Sequence, residues 1–132
     1  MHLKFVGFDE NKVKSVVINN GVNLKDFYPK VGVDKLKGQP ALIISSSRFR
    51  LNKRLREAVR LTNFIVTDQV DAHLHVLGDV NEMVLDSLIG LSLDRITFHG
   101  KIDPSKLVDF YSGADIMLSM SMFDPCPNVV VE

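Results

Sequence analysis

Short apolar runs alternate with helix-like segments along this chain, and that alternation constrains its fold more than any other feature. The runs are residues 41–44 (ALII), 74–77 (LHVL), 95–98 (RITF) and 114–119 (ADIMLS). Strands this short and apolar are buried on both faces, as central strands of a parallel sheet are. Parallel neighbours need a crossover, usually a helix, between them. The first crossover is residues 53–62. Leu55, Ala58, Val59 and Thr62 share one helical face there, and Arg54, Arg56, Glu57 and Arg60 occupy the other, with Asn52 as the expected cap. A second helix is expected over residues 82–89, after Gly78-Asp79. A third opens at Asp103-Pro104, with the cap and first-turn proline that helices favour. Leu107, Val108 and Tyr111 line its inner face. The expected fold is therefore α/β, a doubly wound parallel sheet with helices on both faces.

Ahead of the alternation lies a β-branched run at residues 13–18, expected as a strand and closed by the turn signal Asn19-Asn20-Gly21. Residues 23–39 carry Pro29, Gly32 and Gly38 without sustained periodicity and read as a linker.

At 132 residues the chain is one domain or a large part of one. Its 16 basic residues balance 16 acidic ones, so there is no global field to hold nucleic acid. Cys126 is the only cysteine, which excludes an internal disulfide and fits a reducing compartment. With no signal peptide and no apolar run long enough to span a bilayer, the expected location is the cytoplasm.

By the crevice rule for open α/β sheets, the segments following the four runs converge on one sheet edge. They are residues 45–53, 78–81, 100–103 and 121–132. The first holds Ser45, Ser46, Ser47, Arg48, Arg50 and Lys53, hydroxyls and cations that suit a phosphate. On position alone, Arg48 and Lys53 fit a solvated basic face equally well, since Arg50, Arg54, Arg56 and Arg60 crowd the same stretch. The last segment holds Asp124 and Glu132, with seven residues between them. Carboxylates repel phosphate, so their expected task is to accept hydrogen bonds from neutral hydroxyls. A phosphate flanked by hydroxyl-bearing rings, as in a nucleotide sugar, meets both demands. His73 and His75 alternate on a strand and face one side, but no third ligand stands at a convincing spacing and no metal site is expected. His99 is expected as a structural or wall residue, and Cys126 as a passive pocket-wall thiol.

In order, these segments resemble the donor-binding C-terminal domain of the group 1, family 4-like retaining glycosyltransferases of GT-B architecture. Residues 17–23 (VINNGVN), with Phe27 and Pro29, resemble the family's NGVD-type hinge. Ser47-Arg48 with Lys53-Arg54 resembles its GR…KG phosphate loop. Residues 75–79 resemble the strand ending in GD, residues 95–100 the V-x-F-x-G strand, and residues 107–115 the LY-S-x-AD segment. Residues 124–132 resemble the E-x7-E motif.

The resemblance implies a Rossmann-like sheet, the C-terminal half of a GT-B fold and incomplete. Residues 1–22 would be the hinge and tail of an absent acceptor domain, 23–40 a linker, and 41–132 the nucleotide-sugar-binding domain, truncated after the motif. Arg48 and Lys53 would hold the donor diphosphate beside Ser47, with the amides of Asn128 and Val129 near it. Glu132 would bind the ribose hydroxyls and Asp124 those of the transferred sugar. Gly100, Lys101 and Ile102 would lie near the base. Arg48, Lys53, Asp124 and Glu132 would carry the transfer, which retains anomeric configuration and uses no metal or cofactor, the leaving diphosphate helping to deprotonate the acceptor.

The departures are Asp124 for Glu, Ser47 and Arg54 for two glycines, Pro127 for Gly and Asn23 for the hinge Asp. The implied partners are a nucleotide sugar and the acceptor-binding domain. Peripheral membrane association of the full-length enzyme and self-association through an exposed sheet edge are further expectations. The 132-residue chain alone is expected not to transfer sugar, which an assay of the isolated chain checks. The alternatives are a non-catalytic relative serving binding or assembly, and a different nucleotide-binding doubly wound domain.

Overall fold

Side chains alternate across a strand, so each strand of a central sheet must satisfy two different layers. In the computed structural model, which describes residues 16, 18, 20–124 and 128–131, that alternation separates an aliphatic layer from a polar one. The strands are β1 (Ala41–Phe49), β2 (His73–Val80), β3 (Ile96–Gly100) and β4 (Ile116–Met117). The helices are α1 (Leu55–Thr67), α2 (Glu82–Asp86), α3 (Pro104–Gly113) and α4 (Asn128–Val131). Spatial order is β3-β2-β1-β4, with every neighbouring pair parallel. The expected doubly wound sheet is found.

Leu42 and Ile44 of β1, Leu74 and Val76 of β2 and Ile96 of β3 pack with Leu55, Ala58 and Val59 of α1 and Val84 of α2 as one buried cluster. Burying each of the Leu, Ile and Val side chains is worth about 1.5–3 kcal/mol. The opposite face meets α3 and the chain that precedes β1. There, Leu36 N–H donates to the Gly113 carbonyl at 3.0 Å. Lys35 pairs with Asp115 at 2.9 Å, and Asp115 accepts the Ala41 N–H at 2.9 Å. That backbone bond, then Lys35, holds the Asp115 carboxyl below its ordinary range. Gly113 permits the approach, since a Cβ there would lie 2.8 Å from the Asp34 carbonyl oxygen.

Three histidines occupy this second face. His73 and His75 face the same side, as expected, with ring centroids 5.0 Å apart. His99 follows at 5.2 Å from His75 and meets the edge of Phe110 on α3 at 4.8 Å. His75 Nε2 lies 2.9 Å from the Lys37 carbonyl, which can only accept, so this nitrogen carries the proton. Neutral His75 therefore accepts at Nδ1, and His99 Nε2–H, 2.9 Å away, donates to it. Thr97 Oγ1 meets His73 Nε2 at 2.7 Å, and the buried Nδ1 of His73 has no partner among the described residues.

The structure corrects several expectations. β1 runs through Phe49, so half of the expected loop at residues 45–53 is strand. α1 begins at Leu55 and reaches Thr67, and its N-cap is Arg54 (φ 54°) without a side-chain bond. Asn52 sits instead in a one-turn 3-10 helix (Leu51–Lys53). α2 ends sooner than residue 89, capped by Asn81, while Asp103 caps α3 as expected. β4 is two residues long with Ile116 46% exposed, rather than a buried strand, because among the described residues β1 is its only partner and it forms an edge. Most of the expected strand at residues 13–18 lies outside the described residues, and Val16 and Ile18 are exposed without regular structure. No helix of the described residues is long and apolar enough to cross a membrane.

Candidate functional site

The order reverses at β1: β2 and β3 lie on one side and β4 on the other. The connections leaving β1 and β4 therefore part, and a crevice opens at their carboxyl ends. Its floor is a bulge. Ser45 pairs with Leu77 and Arg48 with Asp79, so β1 holds one more residue than β2 across this interval, at Ser46-Ser47. Gly78 admits the bulge. Its φ is +131°, and a Cβ on it would sit 1.6 Å from the Ser46 carbonyl oxygen. Buried Phe49 anchors the far end of β1, Ser46 Oγ donates to the Arg48 carbonyl at 3.0 Å, and Tyr111 on α3 donates to Ser45 Oγ at 3.3 Å.

Two lobes open from this floor. One, about 290 Å³, is bounded by Lys53, Asp124, Asn20 and Asn128. The other, about 300 Å³, is bounded by Leu77, Gly78, Lys101, Ile102, Pro104 and Leu107. Ser45, Ser46, Ser47 and Asn128 line both, so the lobes form one trough with a hydroxyl-rich middle. In the first lobe Lys53 Nζ pairs with Asp124 at 2.8 Å, both side chains about a quarter exposed (28% and 24%).

The structure thus brings Ser47, Lys53, Asp124, Asn128, Lys101 and Ile102 to one trough. Gly100 ends β3 just before Lys101, at φ +67°. Arg48 is exposed one residue beyond the bulge, paired with Asp79, and is not among the residues bounding either lobe. The Val129 backbone lies in α4. Glu132, Pro127 and Cys126 lie outside the described residues. The structural reading of His99 holds: it packs in the histidine stack under α3. Among the described residues no group of three or more His, Cys, Asp and Glu is arranged for a metal. Sequence reasoning passed over Leu77, Pro104 and Leu107 as site residues. Their signal is position, Leu77 lying in β2 beside the bulge and Pro104 and Leu107 in the first turn of α3 at the crevice.

A parallel sheet whose strand order reverses beside a trough at the carboxyl ends of its strands defines a Rossmann-like α/β domain. The chain belongs to the glycosyl transferases group 1 family, whose model matches residues 40–132. Among solved structures, it is similar to a sucrose-phosphate synthase from Thermosynechococcus elongatus, with 24% identity and a TM-score of 0.59, covering 83% of this chain and 30% of that one. It is also similar to the C-terminal domain of a glycosyl transferase group 1 family protein, LpcC, from Francisella tularensis. There the identity is 22% and the TM-score 0.61, covering 79% of this chain and 60% of that one. This chain therefore spans less than two thirds of either neighbour's length, and the likeness is one of fold, that of a GT-B C-terminal domain. No curated protein matches it.

Proposed function

We propose that this chain is the donor-binding domain of a retaining glycosyltransferase and holds a nucleoside diphosphate sugar along the trough. The observation that carries this reading is the sequence of chemistries along it: a carboxylate beside a cation, then hydroxyls, then an apolar wall. The diphosphate lies over Ser45–Ser47 and meets Lys53, with Arg48 approaching from the rim and the amides of Asn128 and Val129 nearby. Asp124 accepts from hydroxyls of the sugar, and Glu132 from those of the ribose. The base rests against Ile102, Pro104 and Leu107, beside Gly100 and Lys101.

In transfer, the bond between the anomeric carbon and the phosphate oxygen breaks while the acceptor oxygen bonds the same face of the sugar. Negative charge grows on the leaving diphosphate, which takes the acceptor's proton. Lys53 and Arg48 stabilise that charge, more in the transition state than in the ground state. No metal is needed. The acceptor site belongs to a further domain in this reading, and the whole enzyme works in the cytoplasm, against the membrane where its acceptor is a lipid.

An amide-resolved NMR titration with UDP-, GDP- and ADP-sugars tests the reading. One nucleotide should shift the amides of residues 45–53, 100–102 and 128–132 and leave the rest still. Lys53→Ala should weaken that binding by about 10–100-fold and Arg48→Ala by less, each with the spectrum otherwise intact. A well-dispersed spectrum indifferent to all three ligands would overturn the donor site and favour a non-catalytic module.

A further inference from the structure

The counter-ion of Lys53 in this structure is Asp124, at 2.8 Å. The pair closes the first lobe from both sides, Lys53 at the end of the 3-10 turn after β1 and Asp124 in the segment after β4. A second bond ties the same two segments: Met122 N–H donates to the Asn52 carbonyl at 3.0 Å. The backbone therefore holds the two segments next to each other where the pair forms.

Two consequences follow from elementary electrostatics. An anion entering the lobe meets a cation already neutralised and a carboxylate that repels it. A neutral hydroxyl meets a carboxylate whose nearest lone pairs are occupied by an ammonium. Each half of the pair therefore competes with the ligand for the other, although the ammonium keeps two N–H donors and the carboxylate its second oxygen.

Resting on the donor-site reading above, we propose that Asp124 is the counter-ion the donor's diphosphate replaces. The diphosphate takes Lys53, and the carboxylate so released accepts from a hydroxyl of the attached sugar. Asp124 is thus a positioning residue for Lys53 before binding and a specificity-determining residue afterwards, because only a ligand carrying both groups satisfies both members. A diphosphate without sugar leaves the displaced carboxylate unpaired beside it, so the chain discriminates against its own nucleotide product.

The test is calorimetric titration of the wild-type chain and Asp124→Asn with UDP, GDP and ADP, then with the sugar conjugate of whichever binds. Removing the competing carboxylate should tighten the bare nucleoside diphosphate by roughly two- to fivefold, the range expected for a partly exposed ion pair. The wild-type preference for the sugar conjugate over the bare diphosphate should fall in the same variant. Asp124→Glu should restore the wild-type pattern, and Lys53→Met should erase the difference between Asp and Asn at position 124. Asp124→Ser removes the same charge and repeats the measurement should the Asn variant misfold. Unchanged or weaker diphosphate binding in the Asn and Ser variants, with the wild type binding, overturns the counter-ion role and leaves the donor site standing. Failure of every chain to bind any of these nucleotides overturns both.

Discussion

Gly78→Ala should lower the stability of the domain by about 3–5 kcal/mol, combining strain at a glycine-only backbone conformation with overpacking. At φ +131° an L side chain is strained wherever it points, and here it would point into the Ser46 carbonyl at 1.6 Å. The obstacle is backbone of the central strand, which cannot swing aside as a side chain would. Relief requires moving the Ser46-Ser47 bulge, with Phe49 packed just behind, so the trough floor should deform with the loss of stability. Urea denaturation would show a lower midpoint at unchanged slope, and nucleotide binding should fall even where the variant remains folded. Gly90→Ala is the control. Its φ is +84° but a Cβ there meets nothing within 4 Å, so it carries the conformational cost of about 1–2 kcal/mol alone. Equal losses for the two variants would show that the close approach at Ser46 is not rigid.

Gly78 also shows where the sequence was legible. The residues 75–79 announced a strand ending in Gly-Asp, and the strand is there, running on through both residues to Val80. What the glycine was for could not be read, because its neighbour Ser46 is brought to it by parallel pairing of β1 with β2, a long-range fact. The same limit explains β1. Ser45–Arg48 carry the polar composition of a loop, yet the chain continues as strand because Arg48 and Phe49 find partners in Asp79 and Val80. Tertiary pairing overrides local propensity there. Asn52 looked like a helix cap, but helix α1 starts later, and the residue contributes its carbonyl to Met122 instead.

Features set by local chemistry fared better. The Asp103-Pro104 start of α3, the face of α1 carrying Leu55, Ala58, Val59 and Thr62, and the shared side of His73 and His75 follow from spacing within a few residues. The crevice rule brought Ser47, Lys53, Asp124, Asn128, Lys101 and Ile102 together without any knowledge of contacts. It could not foretell that Lys53 and Asp124 would hold each other, since both charges are defined by the loops that place them.

The histidine stack should make this domain acid-sensitive well above the range where carboxylates titrate. Burial first, then the nearby His75, holds His99 below its ordinary value of 6.5. Burial again comes first for His73, followed by His75, Lys37 and Arg95, with Asp71 opposing them. Asp71 is itself paired with Arg95. On the α3 side the stack meets Phe110, and of the charges that α3 carries, Asp109 is taken by Lys30 at 2.6 Å. Protonating His73 would leave either a charged ring with its unpartnered Nδ1–H buried or an opened sheet.

For an imidazole whose folded pKa is depressed, the unfolded chain binds the proton first. Stability is therefore level above about pH 7 and falls as the pH drops through 6.5, by up to about 1.4 kcal/mol per pH unit for each ring that titrates. A second loss follows below the ordinary carboxylate value of 3.8, where Asp103, held low chiefly by its bond from the Ser105 hydroxyl, and Asp115 become protonated. Urea titrations at half-unit steps from pH 7.5 to 5, with the imidazole resonances followed by NMR, measure the first stage. Level stability over that interval would mean that the stack accepts charge without cost. Because His75 holds the Lys37 carbonyl and His99 supports α3, whose Pro104 and Leu107 wall the second lobe, the acid loss should reach the trough as well, weakening the nucleotide over the same pH interval.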